Sequence, residues 1–144
     1  MPESSPKNSQ VRSELLSYAA NILSRRPYFF LQLKNKLIDR AHLKELKDCD
    51  EIIDSILQDL QKSGYLNDSY LAIGFVRRLL GKLQGPKIIR FKLHQLGLTS
   101  SQVSEALASQ ECQEALIEAK AKLTSKMAGQ EEFKIRHRLY QRGF

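Results

Sequence analysis

The sequence predicts an all-α fold, and three observations lead to that prediction. Apolar residues recur at helical spacing in almost every segment after residue 11. No stretch alternates apolar and polar residues between turn signals, as a half-buried β-strand would. Glycines and prolines interrupt the apolar pattern at intervals that leave helices of ordinary length between them.

Three helices are expected in the first part of the chain, after a flexible tail at residues 1–11. Their approximate bounds are Arg12–Ser24, Tyr28–Asp39, and Asp48 or Asp50 to Gly64. Pro27 ends the first helix, because proline lacks an amide hydrogen and clashes with the preceding turn. Acidic residues at the start of the third suit the positive end of a helix dipole. The predicted core residues are Leu15, Ala19, Ile22, Leu23, Phe29, Phe30, Leu33, Leu37, Ile52, Ile53, Ile56, Leu57 and Leu60.

Five further helices are expected after Gly64. Asn67 or Asp68 caps the fourth, whose apolar face continues to Leu83. Pro86 suits the first position of the fifth, where its missing amide hydrogen costs nothing. The sixth is expected to begin with a capping box, the seventh to span about Gln113–Met127, and the eighth to follow Gly129. Thr99 and Gln102 predict the capping box of the sixth helix. The apolar face of the eighth helix is expected to consist of Phe133, Ile135, Leu139 and Tyr140.

A short signature indicates that the helices form tandem units. A basic residue directly precedes a leucine in KNKLIDRAHL (Leu37), RFKLHQLGL (Leu93) and IRHRLYQRGF (Leu139), and these leucines are 56 and 46 residues apart. Such spacing is typical of helical repeats in which no unit buries its apolar face alone. We therefore predict three units of three helices, at residues 12–66, 67–110 and 111–144, the last incomplete.

Positive charge is concentrated in the middle of the chain. The formal net charge is +7, and residues 65–98 hold 6 Lys and Arg against 1 acidic residue, while the flanking segments are nearly balanced. A local basic excess is typical of a protein that meets a polyanion or an acidic protein face. A solvated helix face with a chance bias accounts for it equally well, so both interpretations stay open.

Other properties argue against several classes of protein. No run approaches the ~20 apolar residues of a membrane span, and the polar start MPESSPKNSQ does not resemble a secretory signal. A cytoplasmic location without membrane contact is therefore expected. Cys49 and Cys112 lack metal or disulfide spacing and are expected to be reduced structural thiols. The three histidines are scattered, so no metal, cofactor or catalytic site is predicted.

Two stretches resemble ligand loops only superficially. In GKLQGPKIIR, residues 81–90, three residues separate the glycines and a proline follows, whereas a P-loop has four and ends in GK[ST]. That stretch is predicted to be a junction between two helices. The acidic DCDEIID at residues 48–54 lacks the central glycine and terminal glutamate of a calcium loop.

Basic side chains and one aromatic ring form the predicted contact surface. Arg78 and Lys82 are four residues apart on one helix, and Lys87 and Arg90 are three apart on the next, so the two pairs could merge into one patch. Upstream, two arginines precede Pro-Tyr-Phe-Phe, a combination suited to nucleic-acid stacking, although the phenylalanines fit the core better. The complete predicted contact set is Arg25, Arg26, Tyr28, Arg77, Arg78, Lys82, Lys87 and Arg90.

Residues 64–93, GYLNDSYLAIGFVRRLLGKLQGPKIIRFKL, carry the most specific pattern in the chain. They match three patterns in succession. The first is G-[YL]-L-[DN]-D, the second is an aromatic-Val pair followed by Arg, and the third is G-P-x-x-I before a leucine-bearing helix. SRRPYFFLQLKNKL resembles the pattern R-R-x-x-S-x-x-E-L-x-x-K-L. RHRLYQRGF resembles [KR]-L-x-x-x-L-x-x-R-G-[FY] less closely. Over roughly residues 12–144 the chain thus resembles the RecX family of bacterial RecA regulators. Phe29, Gln32 and Lys92 depart from its usual Ser, Glu and Glu, and members normally continue into one further helix.

That resemblance implies a monomeric binding protein without a catalytic site. Family members have tandem three-helix repeats in an elongated, curved body that lies in the groove of the RecA filament on DNA. There they inhibit RecA ATPase activity, strand exchange and filament growth, and so modulate recombination and DNA repair. The predicted contact set would then face acidic RecA surfaces or filament DNA phosphates. The alternative is a helical module that binds DNA or RNA directly, without RecA; an enzyme has no supporting motif.

Overall fold

The computed structural model describes residues 6–144, and within them the chain forms eight α-helices and no β-strand. The all-α prediction is therefore confirmed. The helices are α1 Pro6–Arg25, α2 Phe30–Leu43, α3 Asp50–Lys62, α4 Asp68–Gly81, α5 Pro86–Gln95, α6 Ser100–Ala108, α7 Gln110–Lys126 and α8 Glu132–Gln141.

The helices fall into two compact units, with the boundary between Asn67 and Asp68. We call them the N-terminal unit, with α1 to α3, and the C-terminal unit, with α4 to α8. The division of the chain into three repeats stays a prediction. Residues 1–5 of the predicted tail lie outside the described residues, whereas residues 6–11 are helical because α1 begins at Pro6, a favourable residue for the first turn.

The N-terminal unit buries one apolar cluster between its three helices. α1 packs against α2 and α3, which also pack against each other. The largest fully buried side chains in this unit are Leu15, Leu33, Leu37, Ile56 and Leu57, all predicted core residues. Phe29 is buried as predicted, and Phe30 is half-buried against the same cluster.

Ion pairs join the helices of the N-terminal unit across its surface. Arg12 of α1 pairs with Asp59 of α3 and donates to Ser55 Oγ at 3.0 Å. Arg40 of α2 donates to Glu14 of α1 at 3.0 Å. Each link connects two different helices, so these arginines support the packing of the unit.

Helix starts in both units follow local capping chemistry. Thr99 Oγ1 accepts from the Gln102 amide at 3.2 Å, and Gln102 Oε1 accepts from the Thr99 amide at 2.9 Å, which confirms the predicted capping box. At the start of α2, Gln32 Oε1 accepts from the Phe29 amide at 3.1 Å. Phenylalanine has no side-chain acceptor, so only this half of the box forms there.

The C-terminal unit is centred on α4, which packs against α5, α6 and α7. Its largest fully buried side chains are Val76, Leu80, Ile89, Leu93, Val103 and Cys112. The helix ends at Gly81, two residues before Leu83, although the apolar spacing predicts that the helical stripe continues to that leucine. Leu83 is buried but lies in the left-handed region at φ 60°, and its amide donates to Leu80 O at 2.9 Å.

The junction between α4 and α5 is also where the end of α8 docks. The Gly85 amide donates to Arg142 O at 2.6 Å, and the Lys87 amide donates to Gly143 O at 3.0 Å. Amides at the start of one helix thus satisfy carbonyls beyond the end of another. A Cβ on Gly85 would lie 2.5 Å from Phe144 N, so the close approach requires glycine.

Helix α8 is the least embedded helix of the C-terminal unit. None of its side chains is buried, and Phe133 and Tyr140 are 58% and 67% exposed. Ile135 and Leu139 are half-buried. The apolar stripe predicted for α8 is therefore only partly covered by the rest of the unit.

Candidate functional site

Within residues 6–144, no group of three or more His, Cys, Asp and Glu side chains is placed to hold a metal ion. None of the helices in residues 6–144 has both the length and the apolar character needed to cross a membrane.

Both cysteines are buried and unpaired, as predicted. Burial raises the pKa of the Cys49 thiol, and the carboxylates of Asp48 and Asp50 raise it further. Burial likewise raises the pKa of Cys112, against a smaller opposing effect of its hydrogen bond with Ser109. Because the thiolate is the reactive form, neither residue is suited to act as a nucleophile at neutral pH.

The basic residues near the start of α2 divide into exposed cations and a covered ring. Arg25 and Arg26 are exposed, as predicted. Tyr28, however, is only 8% exposed and belongs to the apolar cluster of the N-terminal unit. The Arg26 guanidinium lies 4.2 Å from the centroid of its ring. The prediction of Tyr28 as a surface contact is therefore wrong, because core packing and Arg26 occupy the ring.

Arg77 and Arg78 lie at the edge of a groove between α4 and α7, which we call the α4–α7 groove. Its volume is about 430 Å³. Lys122 of α7 adds a third cation, while the other lining residues are small or apolar apart from one carboxylate. They are Gly74, Leu80, Gly81, Leu83, Ala115, Glu118 and Ala119.

An acidic row on α7 borders the same groove. Glu111, Glu114 and Glu118 line an adjoining depression of about 340 Å³ together with Arg77. The Arg77 guanidinium lies 3.4 Å from Glu111 Oε2, and both side chains are more than half exposed. An ion pair so exposed contributes little to stability, so Arg77 remains accessible to a partner.

The remaining predicted cations lie on the C-terminal unit outside the groove lining. Lys82, Lys87 and Arg90 are exposed. The Lys87 ammonium lies 4.8 Å from the centroid of the Tyr140 ring, and therefore connects α5 to α8. The merging of the two basic pairs into one patch stays a prediction.

Comparison with known proteins identifies the family. The regulatory protein RecX of Photobacterium profundum is 32% identical over 104 residues, which is 72% of this chain and 37% of that protein. A crystal structure of regulatory protein RecX matches 99% of this chain and 74% of its own, with a TM-score of 0.71 and 25% identity. The chain belongs to the RecX family.

Further relatives of the RecX family give the same result. RecX of Limosilactobacillus reuteri is 30% identical over 81 residues, 56% of this chain and 31% of that protein. The crystal structure of RecX from Lactobacillus salivarius shares the fold, with a TM-score of 0.72 over 94% of this chain and 90% of its own, at 22% identity. No family model matches the chain. The chain spans well under two thirds of the length of the curated relatives it matches.

The RecX-like motifs meet in the structure at the α5 start. The glycine of G-P-x-x-I, Gly85, touches the glycine of the C-terminal R-G-F, Gly143. The departures from the usual RecX pattern are also accommodated locally. Gln32 accepts from the Phe29 amide as a glutamate would, and Lys92 Nζ donates to Gln84 Oε1 at 2.9 Å.

Sequence reasoning missed the groove and two of its features. Lys122 was not among the predicted cations, although Ala115, Glu118 and Ala119 precede it at helical spacing and mark its face. The row of glutamates on α7 was also not connected with Arg77. Both depend on α7 packing against α4, which the sequence pattern of either helix leaves open.

Proposed function

We propose that this chain binds the RecA filament on DNA and inhibits RecA ATPase activity, strand exchange and filament growth. Membership of the RecX family carries this proposal, because the relatives are regulatory proteins and the resemblance implies RecA as the partner. The proposed function needs no catalytic site. We further propose that the chain acts in the cytoplasm, where it modulates recombination and DNA repair.

The exposed cations of the C-terminal unit support the proposal. Arg77, Arg78, Lys82, Lys87 and Arg90 are all exposed on α4, on α5 or just after α4. Among the described residues, only Arg77 of these five forms an ion pair. Cations that are not neutralised within the fold are available to an acidic protein face or to phosphates, and speed association with either. Arg25 and Arg26 are proposed as further contacts.

The decisive experiment is a titration of RecA-dependent ATP hydrolysis on single-stranded DNA with this protein. We expect hydrolysis to fall as the protein approaches stoichiometry with RecA. Co-sedimentation with RecA–DNA filaments measures binding in the same samples. Unchanged hydrolysis together with absence from the pellet at stoichiometric excess would reject the proposed function.

Charge reversal tests whether the cations at the end of α4 and just after it take part. The double variant Arg78→Glu with Lys82→Glu is expected to raise the concentration needed for half-inhibition by about tenfold or more, equivalent to ~1.4 kcal/mol or more of binding free energy. Lys36→Glu with Lys47→Glu is the matched control, since it changes the total charge equally at exposed sites of the N-terminal unit. Equal inhibition by both variants would remove Arg78 and Lys82 from the interface.

Direct binding to DNA or RNA is the second candidate, favoured by the basic excess at residues 65–98. It predicts binding to naked single strands that weakens steeply with salt, because phosphate contacts release counterions. Measuring the binding constant between 50 and 200 mM salt, roughly the range over which phosphate contacts are lost, separates it from RecA-dependent binding. A protein that retards naked DNA strongly yet leaves RecA hydrolysis unchanged would favour this candidate.

A further inference from the structure

The α4–α7 groove has a floor that the fold leaves uncovered. Leu80, Leu83 and Ala119 line it and are themselves buried, whereas Gly74 and Gly81 are exposed. Its volume of about 430 Å³ is within the range of ~300–1,000 Å³ that is common for ligand pockets.

The two glycines of the groove have no structural requirement within the chain. Both lie in α4 without a positive φ, and a Cβ added at either would meet no atom within 4 Å. Glycine in a helix is less stable than alanine there, because it loses more backbone freedom on folding. Gly85, in contrast, is required by the close approach of Gly143 and Phe144. The space above Gly74 and Gly81 is therefore available to something outside the chain.

The charges around the groove are mixed, which decides between a nucleic acid and a protein. Arg77, Arg78 and Lys122 give one part of the rim a positive character. The adjoining depression has three glutamates against Arg77. A phosphate backbone that followed the groove would have to pass this acidic row, and like charges in close proximity repel. A peptide can place opposite charges at both parts and an apolar side chain between them.

We infer that the α4–α7 groove docks a segment of the filament protein, in which a large apolar side chain is flanked by acidic and basic residues. The apolar side chain lies over Gly74 and Gly81, the acidic residue faces Arg78 and Lys122, and the basic residue faces Glu111 and Glu114. This inference rests on the proposed function, since the occupant comes from the same partner. On this inference the groove contacts protein, and any phosphate contacts are made by Lys87 and Arg90 outside the groove.

The test fills the groove without changing its charge. Gly74→Leu adds a side chain in the groove, and Ser104→Leu adds the same side chain at an exposed site of α6 as the matched control. Binding of each purified protein is measured twice, to RecA filaments on single-stranded DNA and to the same DNA without RecA. Gly74→Leu is expected to weaken filament binding by about tenfold or more, and Ser104→Leu to leave it unchanged. Binding to naked DNA should be equal for both variants.

Gly74→Ala keeps the test valid if the leucine variant folds poorly. We expect its thermal midpoint to be equal to or above that of the wild type, because alanine favours the helix and its methyl group meets free space. Its filament binding should fall by a smaller factor, of about two to five, on the same scale.

Each outcome has a defined meaning. If the wild type binds RecA filaments and both Gly74 variants bind equally well, the groove is not the docking site, although the proposed function stands. If Gly74→Leu weakens binding to naked DNA as much as to filaments, the occupant is nucleic acid and the inference is wrong. If the wild type does not bind filaments, the proposed function and this inference fail together.

Discussion

The N-terminal and C-terminal units use positive charge in different ways. Residues 1–67 hold 10 Lys and Arg against 9 acidic residues, whereas residues 68–144 hold 13 against 7. In the N-terminal unit, Arg12, Lys34 and Arg40 all pair with carboxylates of another helix. Among the described residues of the C-terminal unit, Arg77 and Glu111 form the only ion pair.

The difference shows that similar helical patterns can support two tasks. Three cations of the N-terminal unit, Arg12, Lys34 and Arg40, are paired with carboxylates and link its helices, so their contribution is to stability. Most cations of the C-terminal unit are exposed and without an ion pair in the described structure, so their contribution is available for binding. An experiment that separates stability from binding therefore tests this contrast directly.

The largest expected effects come from two of the three leucines of the repeated signature. Leu37 and Leu93 are fully buried, one in each unit, whereas Leu139 is half-buried in α8. Leu37→Ala and Leu93→Ala are each expected to lower the free energy of unfolding by about 2–5 kcal/mol. Leu139→Ala should cost about 1 kcal/mol, because less surface leaves water on folding. Urea unfolding followed by circular dichroism measures all three.

The ordering of these three effects is informative about the repeats. Equal costs for Leu37 and Leu93 would support equivalent roles of α2 and α5 in their units. A cost at Leu139 as large as at Leu93 would contradict the shallow position of α8. The exposed Ser104→Ala, also in the C-terminal unit, is the neutral reference.

Gly85→Ala is the next largest change and concerns the C-terminal unit alone. The added methyl group would overlap the backbone of Gly143 and lie 2.5 Å from Phe144 N, so the two bonds from Gly85 and Lys87 must break or lengthen. We expect a loss of about 1–3 kcal/mol in the free energy of unfolding, as for other overpacked sites. Hydrogen exchange should show reduced protection in α8.

Gly81→Ala provides the control for Gly85→Ala. It is the same substitution four residues earlier, where the new methyl group meets free space. We expect it to be neutral or slightly stabilising. A Gly85 variant as stable as the Gly81 variant, with α8 still protected, would contradict the docking of the C-terminal residues on α5.

The smallest expected effect contrasts one arginine from each unit. Arg12→Ala removes the ion pair with Asp59 and the hydrogen bond to Ser55, and should cost about 1 kcal/mol of stability without weakening filament binding. Arg78→Ala should leave the unfolding midpoint unchanged while weakening filament binding. Thermal unfolding and co-sedimentation, both done on each variant, measure the two effects. The reverse result would overturn the contrast between the units.

Local features were predictable from the sequence wherever neighbouring residues decide them. The Thr99–Gln102 capping box and the start of α5 at Pro86 lie where expected. The predicted burial of Leu15, Leu33 and Leu37 is also confirmed. Such features depend on helical spacing and on side chains within four residues. The start of α1 and the left-handed Leu83 were missed, because apolar spacing does not report where a helix ends.

The candidate site was predictable only in part, and Tyr28 shows why. A tyrosine after two arginines fits a surface contact and a core position equally well by composition. In the structure, packing within the N-terminal unit buries the Tyr28 ring in the core. Lys122 shows the opposite case, since it lies 44 residues after Arg78 in the sequence yet lines the same groove.

The sequence by itself determined the helices, most of the buried residues of α1 to α7, the basic excess and the resemblance to the RecX family. These properties follow from short-range spacing, residue type and motif, all of which are readable along one chain. Only the tertiary structure decided that α4 and α7 enclose a groove, that Gly85 receives the C-terminal residues, and that Gly74 and Gly81 have free space. Those outcomes depend on which helix faces meet, and long-range packing within a unit decides that.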